Sequence, residues 1–180
     1  MAGPKSAGRR GERGAVAVEF ALVAPLLFII LFGIIDYGIW FADSISARQG
    51  VRDGARRGVV ESFGSCSPKI TTGTDADLRN LACDIAAGME PISGTTAVRV
   101  VIAADPTQPS GSSGWVAGAT LRVCALTQHT SLLPFVPFPA GGISRTRIDM
   151  PIEQAIDPRA SMRTGYAGDA PPGVANWSWC

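Results

Sequence analysis

The sequence predicts an α+β protein: a long N-terminal transmembrane helix followed by a small antiparallel β-sheet domain with one short helix. Three observations carry this reading. An uncharged apolar run, Phe20 to Ile35, lies close to the N-terminus. β-Branched segments of strand length crowd the second half. All four cysteines, Cys66, Cys83, Cys124 and Cys180, fall after the apolar run. A chain of 180 residues suits one such domain rather than two. With a formal charge of only +1, it offers no case for a nucleic-acid-binding surface.

The first element is the helix. Residues 1–14 hold Lys5, Arg9, Arg10 and Arg13 against Glu12, so a basic leader precedes a mildly acidic body. From Ala15 to Ile35 the chain is apolar with one interruption, Glu19. A spanning helix needs about 20 such residues. A secretory signal peptide fits poorly, because the best small-residue cleavage site follows Ala47 with Ile45, Asp43 and Asp36 in the way. A plain anchor accounts for the length but not for Glu19, since a carboxylate at the centre of a spanning helix costs about 2.5–3.5 kcal/mol.

Gly14 ends the leader, and Ala15-Val16-Ala17-Val18-Glu19-Phe20 opens the helix. Counted from Ala15, the carboxylate is fifth and the Phe sixth. This arrangement resembles the prepilin signal of the type IV filament superfamily. The resemblance implies cleavage after Gly14 by a membrane aspartic prepilin peptidase, leaving Ala15 first. Glu19 and Phe20 would then act in assembly, with Glu19 pairing the new amine of a neighbouring helix. Compensated buried charges cost far less than isolated ones.

The stretches Ala15 to Leu27, Phe32 to Gly38 and Arg52 to Gly58 are similar to the TadE-like pseudopilins of tight-adherence (Flp) pili. Many relatives carry Glu where Asp36 stands, and an Ala-rich pattern where Gly50 and Gly54 stand. Major Flp pilins are little more than this helix, and the largest companion protein carries a von Willebrand-type domain. About 120 residues follow the helix here, which fits a TadE-like or TadF-like minor pilin; the runner-up is a type II secretion pseudopilin.

Gly38, Ala42, Ser46, Gly50, Gly54 and Gly58 recur every four residues. On a helix they form a ridge of small side chains that admits a second backbone. The competing reading is a helix weakened toward an end near Gly50. Pro25 predicts a modest kink. Helical from Ala15 to Gly58, the element would be about 66 Å long and project well beyond a bilayer. Arg48, Arg52, Arg56 and Arg57 follow the span, so charge alone does not orient it. The resemblance and the cysteines place the N-terminus inside and the body outside.

Further elements follow in order. Leu78, Leu81, Ala82, Ile85 and Ala86 predict a helix over Asp75 to Gly88, with Thr74 as cap and Gly88 as stop. Strands are predicted at Ala97 to Ala103, at Thr120 to Leu126 with Leu121, Val123 and Ala125 on one face, and at Arg147 to Glu153. Pro151 marks the last as an edge strand. Asp105 to Gly114 reads as a hairpin loop. Leu132 to Pro139 is an apolar loop open to two readings, an interface or a fold-back over the sheet. Trp177 and Trp179 are expected to pack under the tail. Asn176-Trp177-Ser178 matches a glycosylation sequon only weakly.

Four cysteines without a CxxC pair, and His129 as the sole histidine, argue against zinc. They read as disulfides of an extracytoplasmic domain. The most local pairing joins Cys66 to Cys83 and leaves Cys124 with Cys180. The other two connectivities, an intermolecular bond through Cys180 and four buried free thiols stay open.

No nucleophile elbow or phosphate loop is present; Asp75 and Asp77 suit a helix N-terminus, and Asp75, Asp77 and Asp84 do not all share one helix face as paired acids would. The chain reads as no enzyme, with no cofactor and no small-molecule substrate. The expected organisation is a leader over 1–14, a transmembrane and assembly helix over 15–60, an extracytoplasmic domain over 61–157 and a disulfide-tethered Gly/Pro-rich tail over 158–180. The resemblance implies a minor pilin of a Flp-type pilus in the bacterial inner membrane. Its partners would be a prepilin peptidase, other pilins and the Tad assembly platform, with adhesion as the downstream result. The alternative is an uncleaved single-pass anchor carrying an extracytoplasmic binding domain.

Overall fold

The computed structural model describes residues 9–60, 64–66, 70, 76–89, 91–103, 117–133, 137–153, 166–168 and 177–180. The cap Thr74, Asp75, the hairpin loop 105–114, leader residues 1–8 and Asn176 lie outside the described residues.

Helix α1 runs from Arg9 to Val59, 51 residues and about 76 Å, with Pro25 inside it. It starts six residues before Ala15, because the Arg and Glu residues of that stretch are good helix formers. It also runs unbroken through Gly50, so the glycines do not end it. Its two halves have different fates. Between Gly14 and Ile35 it is long and apolar enough to cross a membrane, and almost none of it is covered. Beyond Asp36, Ala47, Val51, Ala55 and Val59 form a buried stripe four residues apart. That stripe is the helix's contribution to the head.

The head is a four-stranded antiparallel sheet with order β3-β2-β1-β4. β1 is Thr95–Ala103, β2 Thr120–Gln128, β3 Ile143–Pro151 and β4 the two residues Tyr166–Ala167. Helix α2, Ala76–Ala87, ends at Gly88, whose N–H bonds the Asp84 carbonyl. Both helices cover one face of the sheet. Val98, Val100 and Ile102 of β1 and Leu121, Val123 and Ala125 of β2 bury there against Leu78, Leu81 and Ile85 of α2 and the α1 stripe.

The other face was less legible. Ala97, Cys124 and Leu126 point away from the helices and are covered by Trp177, with Trp179 and Cys180 beside it. The two indoles lie 5.5 Å apart, so the C-terminal residues close the second face of the core. β2 is therefore buried on both sides rather than alternating as expected.

Two strand boundaries differ from expectation. β3 begins four residues before Arg147 and ends at Pro151. Its apolar residues change face: Ile143 joins the tryptophans while Ile148 and Met150 join the helices, which breaks the period-two signal. β4 arises from the tail and pairs only with Val100 and Val101. Beside it, Gly168 (φ 140°) lies against the Val98 carbonyl, where a side chain would collide with the β1 backbone.

Candidate functional site

Two regions carry the features singled out in the sequence. The first is the bare half of α1. Gly14, Ala15, Glu19 and Phe20 are all exposed there. Glu19 is the sole charge between Gly14 and Ile35, and no cation pairs with it among the described residues. Leu22 is 76% exposed and Phe20 67%, so the face around the carboxylate is apolar and uncovered. In water such a surface would aggregate; it is stable only in lipid or against other apolar helices.

The second is the junction where α1 enters the head. Asp36 is fully buried. Its carboxylate lies 2.8 Å from His129 Nε2, and it accepts from Ser131 Oγ at 2.7 Å and from the Leu132 N–H at 3.1 Å. Two turns further on, Asp43 is also buried and accepts the N–H groups of Ile92 and Ser93 at 2.8 and 3.2 Å. Ser93 Oγ in turn donates to the Thr130 carbonyl. Thus two carboxylates on one face of α1 hold the loops on either side of the β1–β2 hairpin. Buried carboxylates persist only when their lone pairs are occupied in this way.

Aromatic side chains close the junction from outside. Phe138 stacks on Tyr37 at 4.7 Å and leans on His129 at 4.9 Å, while Tyr37 donates to the Pro137 carbonyl. So at its described C-terminal end, the apolar loop 132–139 packs on α1, whereas Leu132 remains 60% exposed. Residues 134–136 lie outside the described residues.

The small-residue ridge divides in the same manner. A side-chain carbon on Gly50, Gly54 or Gly58 would overlap Met89, Ile85, or Leu81 and Leu121 respectively. These glycines let α2 and the sheet approach α1 closely. Gly38 has nothing within 4 Å, Ala42 is exposed and Ser46 half-buried. Arg57 fastens the lower end through Asp53 at 2.8 Å and Asp84 at 2.6 Å.

Disulfides join Cys66 to Cys83 and Cys124 to Cys180, with Cα separations of 5.9 and 6.0 Å. The first ties the segment after α1 to α2; the second fixes the C-terminus to β2. Among the described residues no three His, Cys, Asp or Glu side chains could hold a metal. On the tail face, the hydrogen bond from Arg147, helped by that from Arg122, holds the Asp149 carboxyl below its usual range.

Sequence reasoning missed the junction. In the sequence Asp36 stands out as a variation on a Glu and as an obstacle to a signal-peptide site, and His129 as too solitary for zinc. One signal was available: Asp36 and Asp43, the first acids after the apolar run, stand seven residues apart and so share a helix face.

A bare apolar half-helix continued into a small disulfide-bonded α+β head fits a single-pass membrane anchor. Residues 14–56 match the family model described as TadE-like protein, which makes this segment similar to that family. No curated protein and no solved structure matches it. The match opens at Gly14 and closes within the glycine-bearing part of α1 that receives α2.

Proposed function

We propose that this chain is a minor pilin, or pseudopilin, of a Flp-type pilus. It is inserted in the inner membrane with the leader inside and the disulfide-bonded head outside. A prepilin peptidase cuts between Gly14 and Ala15, and the mature helix joins other pilins on the Tad assembly platform. Surface adhesion follows from the assembled filament. The observation that carries this reading is the solitary Glu19, five residues after Gly14, on an otherwise apolar and uncovered half-helix.

The chemistry is that of charge compensation. Cleavage creates an amine at Ala15 that must leave water when helices pack into a filament. A neighbour's Glu19 neutralises it, so both charges enter the apolar bundle as a pair. In lipid the unpaired carboxylate is costly, which favours assembly over residence in the bilayer.

The test uses two variants in a strain with an active Tad system. Gly14→Val should leave the full-length protein in the membrane. Glu19→Leu should be cleaved normally yet be missing from the sheared pilus fraction. Normal cleavage of the first, or normal recovery of the second in pili, would remove the role assigned to that residue. An uncleaved wild-type chain would instead identify a membrane-anchored binding domain.

A further inference from the structure

Sheet edges present unpaired backbone groups unless something covers them. β3 is one edge of this sheet, pairing only with β2. At its ends, Ile152 exchanges hydrogen bonds with the Ala119 carbonyl and the Gly118 N–H, and the Gly142 carbonyl accepts from His129. Even-numbered residues therefore turn their backbone groups toward β2. By the period of two, Arg145, Arg147 and Asp149 turn theirs to the open side. Pro151, with no N–H to offer, occupies the next open position.

A groove of about 290 Å³ runs along this edge, lined by Arg145 to Ile148 on one side and by Arg48 and Arg52 of α1 on the other. Arg147 is engaged with Asp149 at 2.7 Å, and Arg145 lies over the Trp179 ring. Arg48 and Arg52, one turn apart and exposed, have no carboxylate partner among the described residues. Further along the same edge, Val59, Val60, Met150 and Pro151, with Arg56 and Glu153, line a more apolar groove of about 340 Å³.

We infer that this edge is a docking site for an extended, carboxylate-bearing segment of a protein partner, added to the sheet as a strand beside β3. Its backbone pairs with the open groups of Arg145, Arg147 and Asp149. Its carboxylates meet the guanidinium groups of Arg48 and Arg52, whose planar forks fit them. An apolar side chain beyond them enters the groove at Met150.

The free backbone edge selects a peptide over a polysaccharide or nucleic acid, which cannot complete a strand ladder. Anionic lipid of the same membrane is out of reach. Arg48 stands twelve residues past Asp36, about 18 Å along the helix, whereas the headgroup layer is about 5–8 Å deep. The inference does not depend on cleavage or on filament assembly.

The full-length protein in uncharged detergent is titrated with a labelled octapeptide that carries two Glu and then two Val on one face and Thr at the alternate positions, and followed by anisotropy and amide hydrogen exchange. Binding should slow exchange at Arg145, Arg147 and Asp149. The double variant R48E/R52E should weaken it about tenfold or more. N-methylation of alternate peptide amides, which leaves the protein and the peptide charge untouched, should abolish it. No binding at millimolar peptide, equal binding of the N-methylated form, or binding without protection of these amides would overturn the inference. So would preferential binding of anionic vesicles or of DNA over the peptide.

Discussion

At Asp36, one side chain decides whether the bare half of α1 and the head behave as one body. Its carboxylate gathers His129, Ser131 and the Leu132 N–H, groups more than ninety residues away in the chain. Truncation would leave the buried His129 ring nitrogen without its partner and take an acceptor from Ser131 and the Leu132 N–H, and a hydrogen bond to a charged group is worth about 1.5–3 kcal/mol. Asp36→Ala should therefore lower the stability of the head by on the order of 3 kcal/mol, read by thermal unfolding of the full chain in detergent. Asp36→Asn keeps an acceptor and should cost less. An unchanged melting temperature for Asp36→Ala would show that the junction holds through its aromatic contacts alone. The seven-residue spacing of Asp36 and Asp43 marks a shared helix face, but no local pattern names their partners. Asp36 ends an apolar run and His129 follows a strand, and only the tertiary fold brings them together.

Among the elements, α1 shows how one residue type serves two purposes. Gly54 lies under Ile85, so an added methyl must displace a fully buried side chain. Overpacking of this kind typically costs about 1–3 kcal/mol, more than the roughly 1 kcal/mol that Ala gains over Gly in a helix. Gly54→Ala should destabilise the head, whereas Gly38→Ala, with open space around it, should be neutral or stabilising by a few tenths to about 1 kcal/mol. The pair is checked by denaturant titration of both variants, and equal signs would contradict the assignment. The four-residue recurrence was visible in the sequence. That its lower half receives the protein's own second helix was not, because small-residue spacing records a close approach without naming the partner. Helix α2 and strands β1 and β2 were legible within about two residues, since α2 keeps its 3–4-residue apolar period and both strands are apolar runs of strand length. β3 was misplaced because its apolar residues switch faces, and β4 is too short to carry a pattern.

For the whole molecule, the two faces of the sheet are closed by different means. The helices cover one through a continuous apolar core, while the tail covers the other through Trp177, Trp179 and a disulfide. The Cys124–Cys180 bond closes a separation of 56 residues, for which chain entropy gives about 4 kcal/mol. Cys180→Ser should accordingly lower the denaturation midpoint and expose the indoles, seen as a red shift of tryptophan emission. An unshifted spectrum would mean that the tail packs without its tether. The apolar leader-proximal run, its one carboxylate and the even cysteine count announced this division between membrane segment and head. The sequence said nothing of which residues weld them.

On the proposed processing, Gly14 and Ala15 become the ends of two products. Intact-mass and N-terminal analysis of the chain, expressed with and without a Tad-type prepilin peptidase shown active on a known substrate, tests it most directly. Peptidase-dependent loss of residues 1–14 is expected, with a mature protein beginning at Ala15. Full-length protein under both conditions would contradict it, as would cleavage near Ala47.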